Sequence, residues 1–267
     1  MGTIINLAQD FVGSNNINLL QPIGQFGTRL AVGNDGTSPH YIFTQMSTLA
    51  KIIFNPKDEP LLDQLFEDNQ NIEPIWYMPI IPLILVNGAH GMGTGWKAKI
   101  QNYEPQTIVQ NLLQMMGDDG GKSVLLIPSF KKFKGTISPI FEHGHVVYSG
   151  ILSVISETEI EITELPIRTW TQSYKTLVLE EMVKEKEIQS YKEQHTDTTV
   201  RFVVTMLQEK LTEEKDKNNL HEFFKLNKID PLASSMNLFY QYGHLRKYEN
   251  AEEILKYCFD LQLAYYK

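Results

Sequence analysis

The residues with the clearest chemical potential lie in segment 21–46, which reads QPIGQFGTRLAVGNDGTSPHYIFTQM. Its glycines allow sharp turns and a close backbone approach to a partner. After these turns, alternation in HYIFT predicts a strand with Tyr41 and Phe43 on one face and His40 on the other. A hairpin wing of this kind would present the Tyr41 hydroxyl to a large external partner. The alternative is an amphipathic tyrosine packed at the rim of a strand, which the pattern alone favours.

Two further stretches combine residue types that could contact phosphate. The run NGAHGMGTGW at 87–96 places Met92 among glycines. It lacks the Lys-Ser/Thr ending of a nucleotide-binding loop and does not spell G-x-G-x-x-G, so a phosphate cradle is weakly supported. A methionine filling a core gap beneath the loop is the alternative. In the second stretch, PSFKKFKGT, Lys131, Lys132 and Lys134 alternate with aromatic residues and could hold a phosphate backbone or form a solvated face.

Length and composition predict a folded chain without a membrane span. The 267 residues are 42% hydrophobic, enough for one large domain or two modest ones. The longest apolar run, 78–86, contains two prolines and is far shorter than the roughly 20 residues that cross a bilayer. A single cysteine, Cys258, excludes an internal disulfide and a cysteine-built zinc site, and suits a reducing compartment.

The net charge of −8 argues against nucleic acid as a partner, because DNA affinity depends on Lys and Arg neutralising phosphates. The charges are unevenly spread, however. Residues 1–56 contain Arg29 and Lys51 against Asp10 and Asp35 and are neutral. A DNA partner would therefore need a basic surface lying mostly outside this chain.

Hydrophobic periodicity indicates an α+β fold with antiparallel strands. Helices are predicted at 3–12, 107–116, 177–188, 206–214 and 251–266, with a short helix at 61–66 and a helix, or a strand running into one, at 44–54. Strands are predicted at 146–148, 154–155, 159–163 and 200–204.

The blocks QPIGQFGTRL and SPHYIFT resemble the active-site segment of eukaryotic-type type IIA DNA topoisomerases (topoisomerase II). NGAHGMGTGW, PSFKKFKGT and ELPIRTWTQ match the same family, so the resemblance covers nearly the whole chain. It implies that Tyr41 attacks a DNA phosphodiester and becomes joined to the 5′ end of the strand. It also implies that Met92 occupies the place of an isoleucine that wedges between base pairs.

The resemblance also implies a domain organisation. Residues 1–75 would be the C-terminal part of a winged-helix domain with a β wing, 76–248 an α/β tower, and 249–267 the start of a coiled-coil arm. The chain would then be a fragment of a larger polypeptide, inactive alone. Gln25, Thr28 and Arg29, beside the wing, become candidates for DNA-backbone contact, and the alternative for Arg29 is an intramolecular salt bridge. The lysines at 131, 132 and 134 would flank bent DNA.

Two positions depart from the family pattern. His40 stands where the family has an arginine, so the forked grip of a guanidinium on phosphate is replaced by an imidazole, which could accept a proton. Met92 is longer and more flexible than isoleucine and makes a less rigid wedge. These departures suggest a divergent branch, such as the topoisomerases of large cytoplasmic DNA viruses. The expected location is the host cytoplasm for a viral protein and the nucleus for a cellular one.

The family implies Mg²⁺ and ATP as cofactors, both bound by parts of the longer enzyme that this chain lacks, and no metal site is expected here. Double-stranded DNA and a homodimer are the implied partners, with no membrane. Two alternatives remain open: a non-catalytic structural or interaction module of a DNA-processing protein, and a small-molecule phosphate-binding protein that uses loop 88–95.

Overall fold

The structure is a computed structural model that describes residues 1–93, 95–117, 123–140, 144–232, 235–240 and 243–267. It mixes helices with short antiparallel strands, which confirms the predicted α+β class. The helices are α1 (Gly2–Ala8), α2 (Thr48–Ile53), α3 (Leu83–Val86), α4 (Pro105–Met115), α5 (Thr171–Tyr174), α6 (Glu180–Lys184), α7 (Gln208–Asp216), α8 (Leu220–Phe223) and α9 (Ala251–Tyr266). A π-helical stretch, Lys175–Leu179, joins α5 to α6, and 3₁₀ turns span Pro39–Tyr41 and Pro56–Leu61.

The strands form four antiparallel sheets. They are ordered β1-β2, β7-β8-β10-β9, β11-β6-β5 and β13-β12-β4-β3. Their bounds are β1 (Gln64–Glu67), β2 (Gln70–Pro74), β3 (Ala89–Gly93), β4 (Trp96–Ile100), β5 (Thr136–Ile140), β6 (His145–Ser149), β7 (Ile151–Val154), β8 (Glu159–Glu164), β9 (Ser190–Glu193), β10 (Phe202–Thr205), β11 (Asn227–Pro231), β12 (Met236–Phe239) and β13 (Leu245–Tyr248).

Three apolar cores hold the three larger sheets. The first packs β8 and β10 against the helices around Tyr174 and Phe224. The second joins the β3-β4 region to α4 and α9 through Ile100, Ile108 and Ile254. The third is small and surrounds Tyr148. Because α9 packs into the second core, the predicted arm helix begins as part of the body that carries the β3-β4 hairpin.

Several predicted elements are confirmed, and their ends have local causes. Helix α4 begins with Pro105 at its first position and is followed by Gly117 at φ +91°, both ordinary helix signals. Helix α9 begins at an N-cap, where the Asn250 side chain accepts a hydrogen bond from the Glu253 amide at 2.8 Å. The strict alternation at 159–163 is strand β8, with Ile160 and Ile162 fully buried.

The helix predicted at 61–66 is wrong. Strands β1 and β2 form a hairpin there, and the polar break after Glu67 is its turn. Asp68 and Asn69 have φ values of +47° and +61°. Asp and Asn tolerate this left-handed conformation, which suits a tight hairpin turn.

In the described part of the chain, every helix is too short or too polar to cross a membrane.

Candidate active site and nucleic-acid interface

Tyr41 ends a 3₁₀ turn, Pro39–Tyr41, and its side chain is exposed. The Tyr41 amide donates to the Ser38 carbonyl at 3.0 Å, and the residue is 75% exposed. The strand predicted across 40–44 is therefore wrong at its beginning. Pro39 explains the difference, because its fixed φ favours the first turn of a helix and its nitrogen cannot donate to a ladder.

Two chain segments that pair in antiparallel fashion hold this turn. Ile23 and Phe43 exchange backbone hydrogen bonds of 3.2 and 3.0 Å, and Leu20 bridges to Met46. The Thr44 hydroxyl adds a bond of 2.9 Å to the carbonyl of Gln21. The hairpin arms inferred from the sequence thus exist as isolated bridges, and Tyr41 lies in the loop between them with exposed His40 as its neighbour.

A tight turn at Gly27 shapes the approach to this loop. Gly27 has φ +95°, and a Cβ there would clash with the backbone of Gly33. The Thr28 amide donates to the Asp35 carboxylate at 2.7 Å, and its hydroxyl donates to the same carboxylate. Thr28 is 6% exposed, so a DNA contact by its hydroxyl would require this turn to open, whereas Gln25 is exposed.

Arg29 forms the intramolecular salt bridge considered as its alternative. Its Nη1 lies 2.7 Å from Glu164 Oε1, and both side chains are almost completely buried. The carboxylate also accepts bonds from the amides of Leu165 at 3.0 Å and Lys134 at 3.3 Å. The amide of Gln172 donates to the carbonyl of Leu30 at 3.1 Å. Arg29 therefore fastens the Tyr41 segment to β8, and reaching an external phosphate would require this pair to break.

Met92 lies on the β3-β4 hairpin and is 84% exposed. The glycine-rich run is thus a two-stranded projection with the methionine near its tip, and the core-filling alternative for Met92 is wrong. At the base, Asn87 exchanges two bonds of 2.9 Å with the backbone of Ile17, and Gly88 has φ +65°.

A short asparagine-rich segment links the hairpin base to the Tyr41 arms. Buried Asn16 donates to the carbonyls of Tyr103 and Ser129 at 3.1 and 2.8 Å and accepts from the Lys131 amide at 2.9 Å. Asn102 donates to the carbonyl of Ser14 at 3.1 Å. The sequence reasoning missed these positioning residues, although an Asn-rich stretch beside two apolar segments was a signal that could have been followed.

The three candidate lysines are exposed, but two have protein partners. Lys132 Nζ lies 3.0 Å from the Asp10 carboxylate, in an exposed ion pair, and Lys131 Nζ lies 3.5 Å from Asn18 Oδ1. Exposed pairs of this kind are weak, so these cations could exchange their partners for a phosphate. Lys134 is exposed as well.

Across the described ranges, no group of three His, Cys, Asp or Glu side chains comes together to hold a metal ion.

Comparison with known proteins identifies the family of the chain. The sequence model of the DNA gyrase/topoisomerase IV A-subunit family matches residues 1–267, and the chain belongs to this family. The chain is 53% identical to DNA topoisomerase 2-alpha of Gallus gallus, and 52% identical to the human 2-alpha and 2-beta proteins, over 271 aligned residues in each case. These alignments cover 100% of the chain and 16–17% of the relatives.

A solved structure gives the same answer for the fold. The crystal structure of the Plasmodium falciparum topoisomerase II DNA-binding, cleavage and re-ligation domain superposes with a TM-score of 0.91 at 38% identity. The superposition covers 99% of this chain and 36% of the Plasmodium falciparum chain. The resemblance to the eukaryotic-type topoisomerase II core is therefore confirmed. The predicted domain boundaries and site roles stay predictions.

Proposed function

We propose that this chain is the part of a type II DNA topoisomerase that carries the nucleophile and the DNA wedge. The observation that carries the proposal is the exposed hydroxyl-bearing ring of Tyr41, held on a short turn between two paired arms. A buried tyrosine could not approach a phosphodiester of duplex DNA. The blocks around Tyr41 and Met92 in the sequence support the same assignment.

The cleavage step is a transesterification in which the numbers of bonds and charges are conserved. Tyr41 Oη attacks the phosphorus of a DNA phosphodiester, forms a phosphotyrosyl bond to the 5′ end of the strand, and displaces the 3′ oxygen. The phenolic proton leaves Oη as the bond forms, and a proton is delivered to the departing 3′ oxygen. A phenol with an ordinary pKa near 10 is almost fully protonated at neutral pH, so a proton acceptor or a nearby cation assists the attack. Religation is the reverse reaction.

His40 is the chain's own candidate for assisting Tyr41. It directly precedes the nucleophile in the chain, and it is exposed. An imidazole can accept the phenolic proton when neutral or stabilise the phosphate charge when protonated.

Met92 serves as the wedge in this proposal. An apolar side chain that projects from a narrow hairpin can enter the minor groove, unstack one base step and kink the duplex. Unstacking costs about a few kcal/mol per step, which is offset by the additional contacts that a bent duplex makes. The flexible thioether should give a less sharply defined kink than isoleucine.

The remaining features belong to the longer enzyme in which this chain would act. We infer that it uses Mg²⁺ and ATP bound by other domains, works as a homodimer on double-stranded DNA, and couples cleavage to passage of a second duplex. Location in the host cytoplasm follows if the protein is viral, and in the nucleus if it is cellular.

The test is capture of a covalent protein–DNA adduct with the longer enzyme after rapid denaturation in detergent. Wild type should give the adduct and Tyr41→Phe should not. Tyr77→Phe is the matched control, because Tyr77 is also an exposed tyrosine and the change removes only a hydroxyl. An adduct that persists in Tyr41→Phe would instead favour the non-catalytic structural module for this chain.

A further inference from the structure

The β3-β4 hairpin has one face that carries both the wedge and basic side chains. His90 is paired with Lys99 and Met92 with Lys97. Directly opposed residues of an antiparallel pair project on the same side, and so do residues two apart on one strand. All four side chains therefore share one face. The other face contains Ala89, Gly91 and Ala98 with buried Ile100.

A cavity of about 430 Å³ adjoins this face, and two side chains of the face, His90 and Lys99, contribute to its lining. Its lining includes His90, Lys99, Arg168, Lys228 and Asp230. The cavity therefore combines the hairpin with the turn that follows β8 and with strand β11, three parts of the chain that are far apart in sequence.

The cavity has an excess of positive charge. Lys99 forms an ion pair of 3.0 Å with Asp230, and both side chains are 13% exposed. Arg168 and Lys228 form no ion pair among the described residues, and Asp230 is the one carboxylate in this lining, so the cavity has an excess of two positive charges when histidine is neutral. Lys228 Nζ donates to the Arg168 carbonyl at 3.1 Å, and Arg168 has φ +60°. Lys228 thus positions the turn that holds the guanidinium.

Burial and the neighbouring cations act on the pKa of two basic groups in the cavity. Burial lowers the pKa of Lys228, and Arg168 and Lys99 lower it further while Asp230 raises it. Burial also lowers the pKa of His90, with Arg168, Lys99 and Lys97 acting in the same direction and Asp230 opposing them. A bound anion would oppose these shifts because it favours the protonated form of both groups.

We propose that this basic face and its cavity, formed by His90, Lys97, Lys99, Arg168 and Lys228, bind the phosphate backbone of the duplex that Met92 enters. The inference rests on the proposed function, because it takes DNA as the ligand and the hairpin as its wedge. Two residues along a strand span about 7 Å, close to the rise of two base pairs. The basic groups therefore lie where they can hold phosphates that flank the wedged step, and they oppose recoil of the bent duplex.

This face also answers the objection from the net charge of −8. Its basic residues are dispersed between positions 90 and 228, so no window of the sequence is strongly basic, and only folding brings them together. The expectation that the DNA-binding surface lies mostly outside the chain stays a prediction, to which this cluster adds a contribution from within the chain.

The test is the salt dependence of duplex binding by the 267-residue chain. Fluorescence anisotropy with a labelled 30-base-pair duplex gives log K against log[KCl] from 50 to 200 mM. The variants are Lys97→Gln, Arg168→Gln and the double variant. Lys215→Gln is the matched control, because it removes one positive charge from an exposed position on α7. Circular dichroism establishes that each variant is folded.

Each lost phosphate contact should reduce the slope by about 0.9. We expect a reduction of about 1.8 for the double variant, equal on unrelated duplex sequences, and no change for Lys215→Gln. Wild type and double variant with the same slope would overturn the phosphate site alone. Absence of duplex binding by the wild-type chain would also overturn the site alone, because the proposed function belongs to the longer enzyme and is tested separately by its covalent adduct.

A second arm separates DNA phosphate from a free anion. Inorganic phosphate is titrated into wild type and double variant by calorimetry. We expect no binding in the micromolar range for either protein. Micromolar binding that is lost in the double variant, with an unchanged DNA slope, would assign the cavity to a small phosphate ligand and overturn the proposal.

Discussion

Replacing Arg29 with methionine should destabilise the protein strongly, because the Arg29–Glu164 pair is buried. Breaking such a pair leaves an uncompensated carboxylate and costs about 3–5 kcal/mol. Glu164 keeps two backbone donors, the amides of Leu165 and Lys134. The expected loss therefore lies at the lower end, about 3 kcal/mol, and a loss of this size lowers the melting temperature by about 6–12 °C in a domain of this size class.

Urea unfolding followed by tryptophan fluorescence measures this loss. Trp170 is a local probe, because the next residue, Thr171, donates its amide to the Arg29 carbonyl at 3.4 Å. The matched control is Arg201→Met, which breaks an ion pair of 2.6 Å to Glu161 on the same strand, β8. Arg201 is half exposed in that pair, so its removal should cost about 0–1 kcal/mol.

Glu164→Gln should partly rescue Arg29→Met, since it removes the unpaired charge and its one amide oxygen still accepts from one of the two backbone amides, which bond to different oxygens of Glu164. Equal losses below about 1 kcal/mol for Arg29→Met and Arg201→Met would refute the structural role of the buried pair. Arg29 would then be free to contact DNA.

Three other predictions concern single positions. His40→Arg should flatten the pH dependence of DNA cleavage by the longer enzyme between about pH 6 and 8, because imidazole titrates there and guanidinium does not; superimposable pH profiles would exclude a role for His40. Gly27→Ala should destabilise the Tyr41 segment by about 1–3 kcal/mol, because Gly27 has φ +95° and an added Cβ would clash with the backbone of Gly33. The control is Gly2→Ala, which should leave urea unfolding unchanged because an added Cβ there has nothing within 4 Å. Burial raises the pKa of Cys258 from 9 to about 11. Because the thiolate is the reactive form, alkylation of Cys258 by iodoacetamide at pH 8 should be about 100-fold slower in the folded than in the unfolded chain. Equal rates would contradict this burial.

Local sequence patterns predicted the elements with a strong hydrophobic period, and missed most of the short strands. The alternation in β8 and the apolar spacing of α4 and α9 follow directly from the period of each structure. These elements bury one face each, so their pattern and their structure have the same cause. Strand β11, whose pairing partner β6 is far away in sequence, was missed because non-local pairing decides it.

The candidate site was predicted unevenly for a related reason. Tyr41 and Met92 were identified from motifs, and their exposure agrees with the proposed roles. Arg29 looked equally available, but its burial depends on Glu164, which is distant in sequence. The basic cavity around Arg168 and Lys228 has no sequence signature, because three separated elements create it.

The proposed function depends above all on Tyr41 Oη forming the covalent bond to DNA. Mass spectrometry of the nuclease-trimmed adduct formed by the longer enzyme identifies the bonded residue. We expect a nucleotide 5′-phosphate attached to Tyr41 and no attachment at the neighbouring His40. A nucleotide attached to any other residue, or an adduct whose Tyr41 peptide is unmodified, would contradict this role.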